Sequence, residues 1–183
     1  MKQSIILGNP KFDITIKRLC HQLIENHNDF SNSVLIGLQP RGIYLAKRIQ
    51  EHLQDLLPKK DIKLGNLDVT FFRDDFRTSE KLLLANTTNI DFIIENKKVI
   101  LIDDVLYTGR TIRAGLDAML AFGRPSKVEL LVLIDRRYTR HLPIEPDYIG
   151  MQVDSISSEK VIVNWKETEG ADEVVLIKDI VKK

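Results

Sequence analysis

The sequence predicts an α/β fold: a mostly parallel central sheet flanked by helices, with a small C-terminal lobe. Three observations predict it. Short apolar, β-branched runs alternate with segments of helical periodicity. The strand candidates are apolar throughout, as strands covered on both faces are. Beyond about residue 136 the pattern changes to short strands and turns. At 183 residues the chain reads as one domain, a core over about 1–135 and a lobe over about 136–183.

The first helix is expected over 13–28, where Phe12, Ile16, Leu19, Cys20, Leu23 and Ile24 share one face and Lys17, Arg18, His21 and Glu25 mark the other. Ser33–Leu38 is a buried strand that ends in the turn chemistry of Gln39-Pro40-Arg41-Gly42. A second helix over 43–57 carries Ile43, Ala46, Ile49, Leu53, Leu56 and Leu57, and Pro58 stops it. LDVTFFR at 67–73 reads as a strand, and 74–90 as a long polar loop of the kind that is usually functional.

KVILI at 98–102 is the clearest strand, with Asp103 and Asp104 at its carboxyl end. A helix over 111–122 follows, with Ile112, Leu116 and Met119 on one face and Gly123 as its stop. VELLVLI at 128–134 is another buried strand, closed by Asp135. Segments 148–149, 161–163 and 174–177 are shorter strands. His27, His52 and His141 show no partner pattern and read as surface or loop residues, and Trp165 carries no specific signal.

Composition narrows the function classes. With 43% hydrophobic and 29% charged residues the chain is neither disordered nor fibrous. Lys+Arg 27 against Asp+Glu 26 lacks the basic excess of a protein bound mainly to nucleic-acid phosphates, which leaves room only for a local patch. One cysteine, Cys20, gives neither an internal disulfide nor a metal cluster. No apolar run approaches the roughly 20 residues of a membrane span, and the N-terminus lacks a signal-peptide core. A cytoplasmic location is expected.

The informative stretch is VILIDDVLYTGRT at 99–111. A buried strand runs into two acids, then a short loop, then a helix. Ligands of open α/β sheets bind at the carboxyl ends of strands, and a helix N-terminus offers free N–H groups and the positive end of its dipole. Gly109 lets the backbone approach an anion, and Thr108 and Thr111 add hydroxyls. The pattern makes a cradle for a phosphate monoester, with Asp103 and Asp104 placed to accept from the hydroxyls of an attached sugar.

DDVLYTGRT resembles the phosphoribosyl-pyrophosphate (PRPP) signature of type I phosphoribosyltransferases. It is most similar to one subgroup, the pyrimidine-operon regulators that are also uracil phosphoribosyltransferases. PRGIYLAKR (40–48), LDVTFFRDD (67–75), TIRAGLDAML (111–120), GRPS (123–126), LIDR (133–136) and LPIEPDYIG (142–150) extend the resemblance, in order, over nearly the whole chain.

The resemblance implies transfer of phosphoribose from PRPP to uracil, giving UMP and pyrophosphate, with Mg²⁺ held through substrate oxygens rather than by direct protein ligation. It implies that Asp103 and Asp104 hold the ribose hydroxyls and that Thr108, Gly109, Arg110 and Thr111 bind the 5′-phosphate. Pro40, Arg41 and Gly42 match the pyrophosphate loop. Arg73, Asp74 and Asp75 match the start of a closing loop, in which Arg77 and Lys81 are further cations. Asp135 and Arg136 lie beside the base, and the C-terminal lobe is its hood. Purine-specific relatives often carry a carboxylate at the position of Tyr107, which favours a pyrimidine here. A purine base stays open as an alternative. So does a UMP-responsive RNA-binding regulator with minor catalysis. For that role the resemblance implies a basic surface on a homodimer or higher assembly, to which Lys17, Arg18 and His21 belong. Glu145, Met151, Gln152 and Asn26 stand where basic residues are expected.

Overall fold

The structure, a computed structural model, describes residues 2–73 and 86–178. Asp74, Asp75, Arg77 and Lys81, expected in the closing loop, lie outside the described residues. In chain order the elements are β1 (Lys2–Gly8), α1 (Lys11–His27), β2 (Ser33–Leu38), α2 (Gly42–Leu56), β3 (Leu64–Leu67), β4 (Lys98–Leu106), α3 (Arg110–Met119), β5 (Lys127–Arg137), β6 (Tyr148–Asp154), β7 (Lys160–Asn164), α4 (Lys166–Glu169) and β8 (Glu173–Lys178).

Five strands form the central sheet in the order β3-β2-β4-β5-β6, every neighbouring pair parallel. Right-handed crossovers then dictate where the helices go. The connection from β2 to β3 runs one way along the sheet and that from β4 to β5 runs the other, so α2 and α3 cover opposite faces. The packing follows this division. Leu35, Ile100 and Ile102 face Phe12, Ile16, Leu45 and Ile49 of α1 and α2, whereas Ile36, Val99 and Leu101 face Ile112, Ala114 and Ala118 of α3. The order reverses between β2 and β4, which opens a crevice beyond their carboxyl ends.

The second sheet is small and antiparallel, in the order β1-β8-β7. Its edge strand β1 comes from the N-terminus, and β6 belongs to the central sheet. The C-terminal lobe is therefore built from both ends of the chain. Trp165 docks it. The ring is fully buried, edge-on to Phe12 at 5.5 Å and tilted 6.0 Å from Tyr44. The Arg48 guanidinium stacks 5.0 Å from the Trp165 ring and pairs with Glu167 and Asp172, each at 2.7 Å. The only tryptophan, silent as a motif, is the anchor between lobe and core.

Two expectations are corrected. The strand expected at 67–73 is instead β3 at Leu64–Leu67, followed by a 3₁₀ turn over Thr70–Phe72. Asp68 ends the strand, because its carboxylate accepts the Thr70 N–H at 3.2 Å, the Thr70 hydroxyl at 2.7 Å and the Asn86 N–H at 3.0 Å. His27 is not a surface residue. It is buried at the end of α1, with Nδ1 2.8 Å from the Ser33 hydroxyl and Nε2 2.7 Å from Glu129 and 3.1 Å from the Tyr148 hydroxyl. Cys20 is buried and free, its thiol pushed up to about 12 by burial.

Burial outweighs the attraction of Glu129 and holds the His27 imidazole below its ordinary value of 6.5. Folding thus favours the neutral ring, and the stability this contributes is complete above about pH 6.5 and lost as pH falls below it. Thermal unfolding at pH 8 and pH 5.5 should show a lower Tm at the acid value, and His27→Gln should shrink that difference.

Candidate functional site: a phosphate cradle at the sheet switch point

The crevice between β2 and β4 is bordered by the two turns that the sequence singled out. After β2, the turn 39–41 leads into α2. Gln39 is held by its N–H to Leu67 O at 2.9 Å and by Nε2 to Thr87 O at 2.7 Å. After β4, residues 107–109 lead into α3. Neither helix carries a side-chain N-cap or an acid in its first turn. Two positive helix ends therefore face the same crevice.

Both turns depend on a glycine. Gly42 lies so close to β4 that a Cβ there would meet Ile102 O at 2.5 Å and the Asp103 Cα at 2.9 Å. Gly109 sits at φ 90°, in the left-handed region, as the cap of α3. The 141–144 segment backs this cap. His141 and Leu142 donate their N–H groups to Thr108 O at 3.0 and 3.2 Å, and a Cβ on Gly109 would meet Ile144 at 3.2 Å. A cavity of about 380 Å³ opens over the cap, lined by Asp103, Thr108, Gly109, Arg110, Thr111 and Arg73 among others. Arg73 reaches it from the far side of the crevice, its Nη1 3.4 Å from the Thr111 hydroxyl.

Strand alternation splits the two acids. Asp103 lines the cavity over the α3 cap. Asp104 turns to the α2 side, 3.3 Å from Arg41 Nε. Both are buried, and the Asp103 carboxylate accepts the Asp104 N–H at 2.9 Å. Burial pushes the Asp103 carboxyl well above the usual range. The neighbouring Asp104 pushes the same way, and Arg73 opposes. Burial also raises Asp104, against the pull of Arg41.

Arg41 does more than border the turn. Its Nη1 bonds Glu169 at 3.1 Å and its Nη2 bonds Val163 O, so one guanidinium joins the α2 cap, the β4 acid and the small sheet. Glu169, which sequence reasoning did not single out, is itself held by the Trp165 N–H at 2.8 Å. At the end of β5, Asp135 is buried and paired with Arg140, which also donates to Tyr107 O at 2.6 Å. Arg136 is buried against the Tyr107 ring. Asp75 is not among the described residues. The turn 40–42, Arg73, the two acids and residues 107–111 border this crevice, whereas Asp135 and Arg136 lie one strand over at the end of β5, joined to it through Arg140 and the Tyr107 ring. Lys17, Arg18 and His21 are exposed on α1, away from it. There Lys17 pairs with Asp13 at 2.7 Å, and Arg18 spends its guanidinium on Ile149 O and Gly150 O at 3.1 and 2.6 Å.

A doubly wound sheet with an acid pair leading into an uncapped helix at its switch point defines a phosphoribosyltransferase. Residues 2–168 match the family described as the phosphoribosyl transferase domain, and the chain belongs to that family. Among curated relatives it is 42% identical over 177 residues to "Bifunctional protein PyrR" of Streptococcus mutans, covering 97% of both chains. It is 41% identical to the protein of that name from Bacillus subtilis, over 96% of this chain and 97% of the other. The fold is shared with a hypoxanthine phosphoribosyltransferase of Staphylococcus aureus, at TM-score 0.70, 17% identity, and 96% and 92% coverage. It is also shared with the Trypanosoma cruzi enzyme in complex with its product IMP, at TM-score 0.72, 17% identity, and 95% and 93% coverage. Among the described residues no helix is long and apolar enough to cross a membrane.

Two raised carboxyl groups make a signed prediction. A carboxyl whose folded value lies above its unfolded value of about 3.9 stabilises the fold at acid pH and ceases to do so as pH rises through the folded value. Asp103→Asn should therefore raise the Tm at pH 7.5, and the gain should vanish when unfolding is measured near pH 4. Gly42→Ala should lower turnover by driving the α2 terminus off β4, with the enzyme still folded by circular dichroism.

Proposed function

We propose that the protein is a uracil phosphoribosyltransferase, joining uracil to the phosphoribosyl group of PRPP with release of pyrophosphate to give UMP. The observation that carries this reading is the placement of Asp103 and Asp104 in the carboxyl-terminal half of β4, with four residues between Asp104 and the open helix end at Gly109–Thr111, and with Asp103 and that helix end lining one cavity. Similarity to the bifunctional PyrR proteins along the chain supports the pyrimidine.

In this reading Thr108, Gly109, Arg110 and Thr111 hold the 5′-phosphate through backbone N–H groups and hydroxyls. Asp103 and Asp104 accept from the ribose 2′- and 3′-hydroxyls, which relieves two buried carboxylates of unmet acceptor capacity. Pro40, Arg41 and Gly42 face the pyrophosphate, and Arg73 reaches in beside Thr111; Asp75, also assigned to substrate by resemblance, lies outside the described residues. Tyr107, Asp135 and Arg136 border the base. Arg41 is engaged by Asp104 and Glu169, so it turns from them toward the pyrophosphate as substrate takes over Asp104.

Uracil N1 attacks C1′ as pyrophosphate departs, through a transition state with oxocarbenium character. The chain orients the reactants, with Arg41, Arg73 and the α2 N-terminus where charge grows on the leaving group and the α3 N-terminus on the 5′-phosphate. Asp103 and Asp104, buried carboxylates facing the sugar hydroxyls, fit a Mg²⁺ that would be held mainly through substrate oxygens and water and would neutralise charge on the pyrophosphate. We place the enzyme in the cytoplasm, as a single domain in a homodimer or higher homo-oligomer.

A second reading, a UMP-responsive regulator that binds pyrimidine-operon mRNA, is favoured by the exposed α1 face of Lys17 and His21 and by the name of the curated relatives. Glu145 and the internal engagement of Arg18 weaken the basic surface that RNA phosphates require.

The test is a base panel with PRPP and Mg²⁺. UMP should form from uracil, with no nucleotide from hypoxanthine, guanine, adenine or orotate. Absence of UMP, with UMP still bound, would promote the regulator. Asp103→Asn with Asp104→Asn should cut turnover about a hundredfold or more, since a hydrogen bond to a charged group is worth roughly 1.5–3 kcal/mol.

A further inference from the structure

Arg136 is an unusual arginine. It is 5% exposed, at the end of a central strand, where a cation is costly unless its donors are met. Its partners are a hydroxyl, two carbonyls and a ring face. Nε donates to the buried Ser155 hydroxyl at 2.8 Å, and Nη2 donates to Ile156 O at 3.2 Å and Glu159 O at 2.8 Å. The guanidinium carbon lies 3.9 Å from the centre of the Tyr107 ring. These groups come from two separate parts of the chain, the loop after β4 and the turn between β6 and β7.

The turn is also closed on itself. Ile156 N–H donates to the Glu159 carboxylate at 3.1 Å and Glu159 N–H to Ile156 O at 3.0 Å. With its carbonyls gripped from below by Arg136, the turn presents the exposed Ile156 and Ser157 outward. Facing them across a cavity of about 320 Å³ are Tyr107 and Thr139. Tyr107 also lines the phosphate cavity, so the two spaces adjoin at that residue. A flat ring carried by a sugar bound in the first would enter the second.

We infer that Arg136 is a positioning residue for base recognition, fixing the Tyr107 ring and the 155–159 turn as the two walls of one slot without itself touching the base. The inference rests on the uracil phosphoribosyltransferase reading and deepens it. It also moves Arg136 from the base contacts to the support beneath them, because Nε and Nη2 are engaged inside the protein and the guanidinium lies against the Tyr107 ring. Lysine at this position keeps the charge but loses the planar fork that meets three acceptors while stacking on a ring.

The test is steady-state kinetics with uracil and PRPP varied separately. Arg136→Lys should raise the uracil KM about tenfold or more and leave the PRPP KM within about threefold. Tyr107→Leu should give the same pattern, and Tyr107→Phe, which keeps the ring, should recover most of the loss. The double variant Tyr107→Leu with Arg136→Lys should raise the uracil KM by less than the product of the two single effects, since both act on the Tyr107 wall. An unchanged uracil KM in Arg136→Lys, or an equal rise for both substrates, overturns the positioning role. Should Arg136→Lys fail to fold by circular dichroism, Tyr107→Leu and Ser155→Ala decide it, and an unchanged uracil KM in both overturns the role. Wild-type protein that makes no UMP is a different failure. It removes the uracil reading itself, and the inference with it.

Discussion

The buried acid pair at the end of β4 is the constraint around which the molecule is organised. Two adjacent carboxyl groups that are both shielded from water oppose their own ionisation. The fold tolerates them by dividing them between the two faces of a strand and giving each its own cation, Arg73 toward Asp103 and Arg41 toward Asp104. Everything near the crevice follows from that division. The two helix ends aim at it, the glycines at 42 and 109 let backbone approach it, and the small sheet is tied to it through Arg41 and Glu169.

The central sheet explains why the pair sits where it does. A parallel sheet covered on both faces demands strands that are apolar along their length, and β4 obeys this until Ile102. Asp103 and Asp104 then interrupt the apolar run within the strand, before the buried Leu106. The crossover directions reverse between β2 and β4, so these two acids border a crevice rather than a neighbouring connection. Site and topology are one consequence of a single strand order.

Much of this was legible in the sequence, and the exceptions share a cause. Ser33–Leu38 was read with its full boundaries and the helices within a few residues, because their apolar positions recur at the period of the element. The open α3 terminus was legible because Gly109 and the hydroxyl residues around it mark a helix start with no side-chain cap. What stayed hidden depends on partners distant in the chain. LGNL has little strand propensity, and its edge pairing with β2 makes it β3. β1 becomes a strand by pairing with β8, some 170 residues away by the numbering of Ser4 and Leu176. His27 joins α1 to Ser33, Glu129 and Tyr148, a meeting of four elements that no local window contains. Glu169 escaped notice for the same reason, since its part at the crevice lies in holding Arg41 from a distant stretch of the chain.

Trp165 gives the molecule a property of a different kind. The chain has one tryptophan, and it sits fully shielded where the small sheet meets the core, against Phe12, Tyr44 and Arg48. Glu169, which accepts the Trp165 backbone N–H at 2.8 Å, grips Arg41. The indole is thus mechanically in series with the turn that leads into α2. Its emission is an optical readout of lobe position intrinsic to the natural sequence, free of background from any second indole.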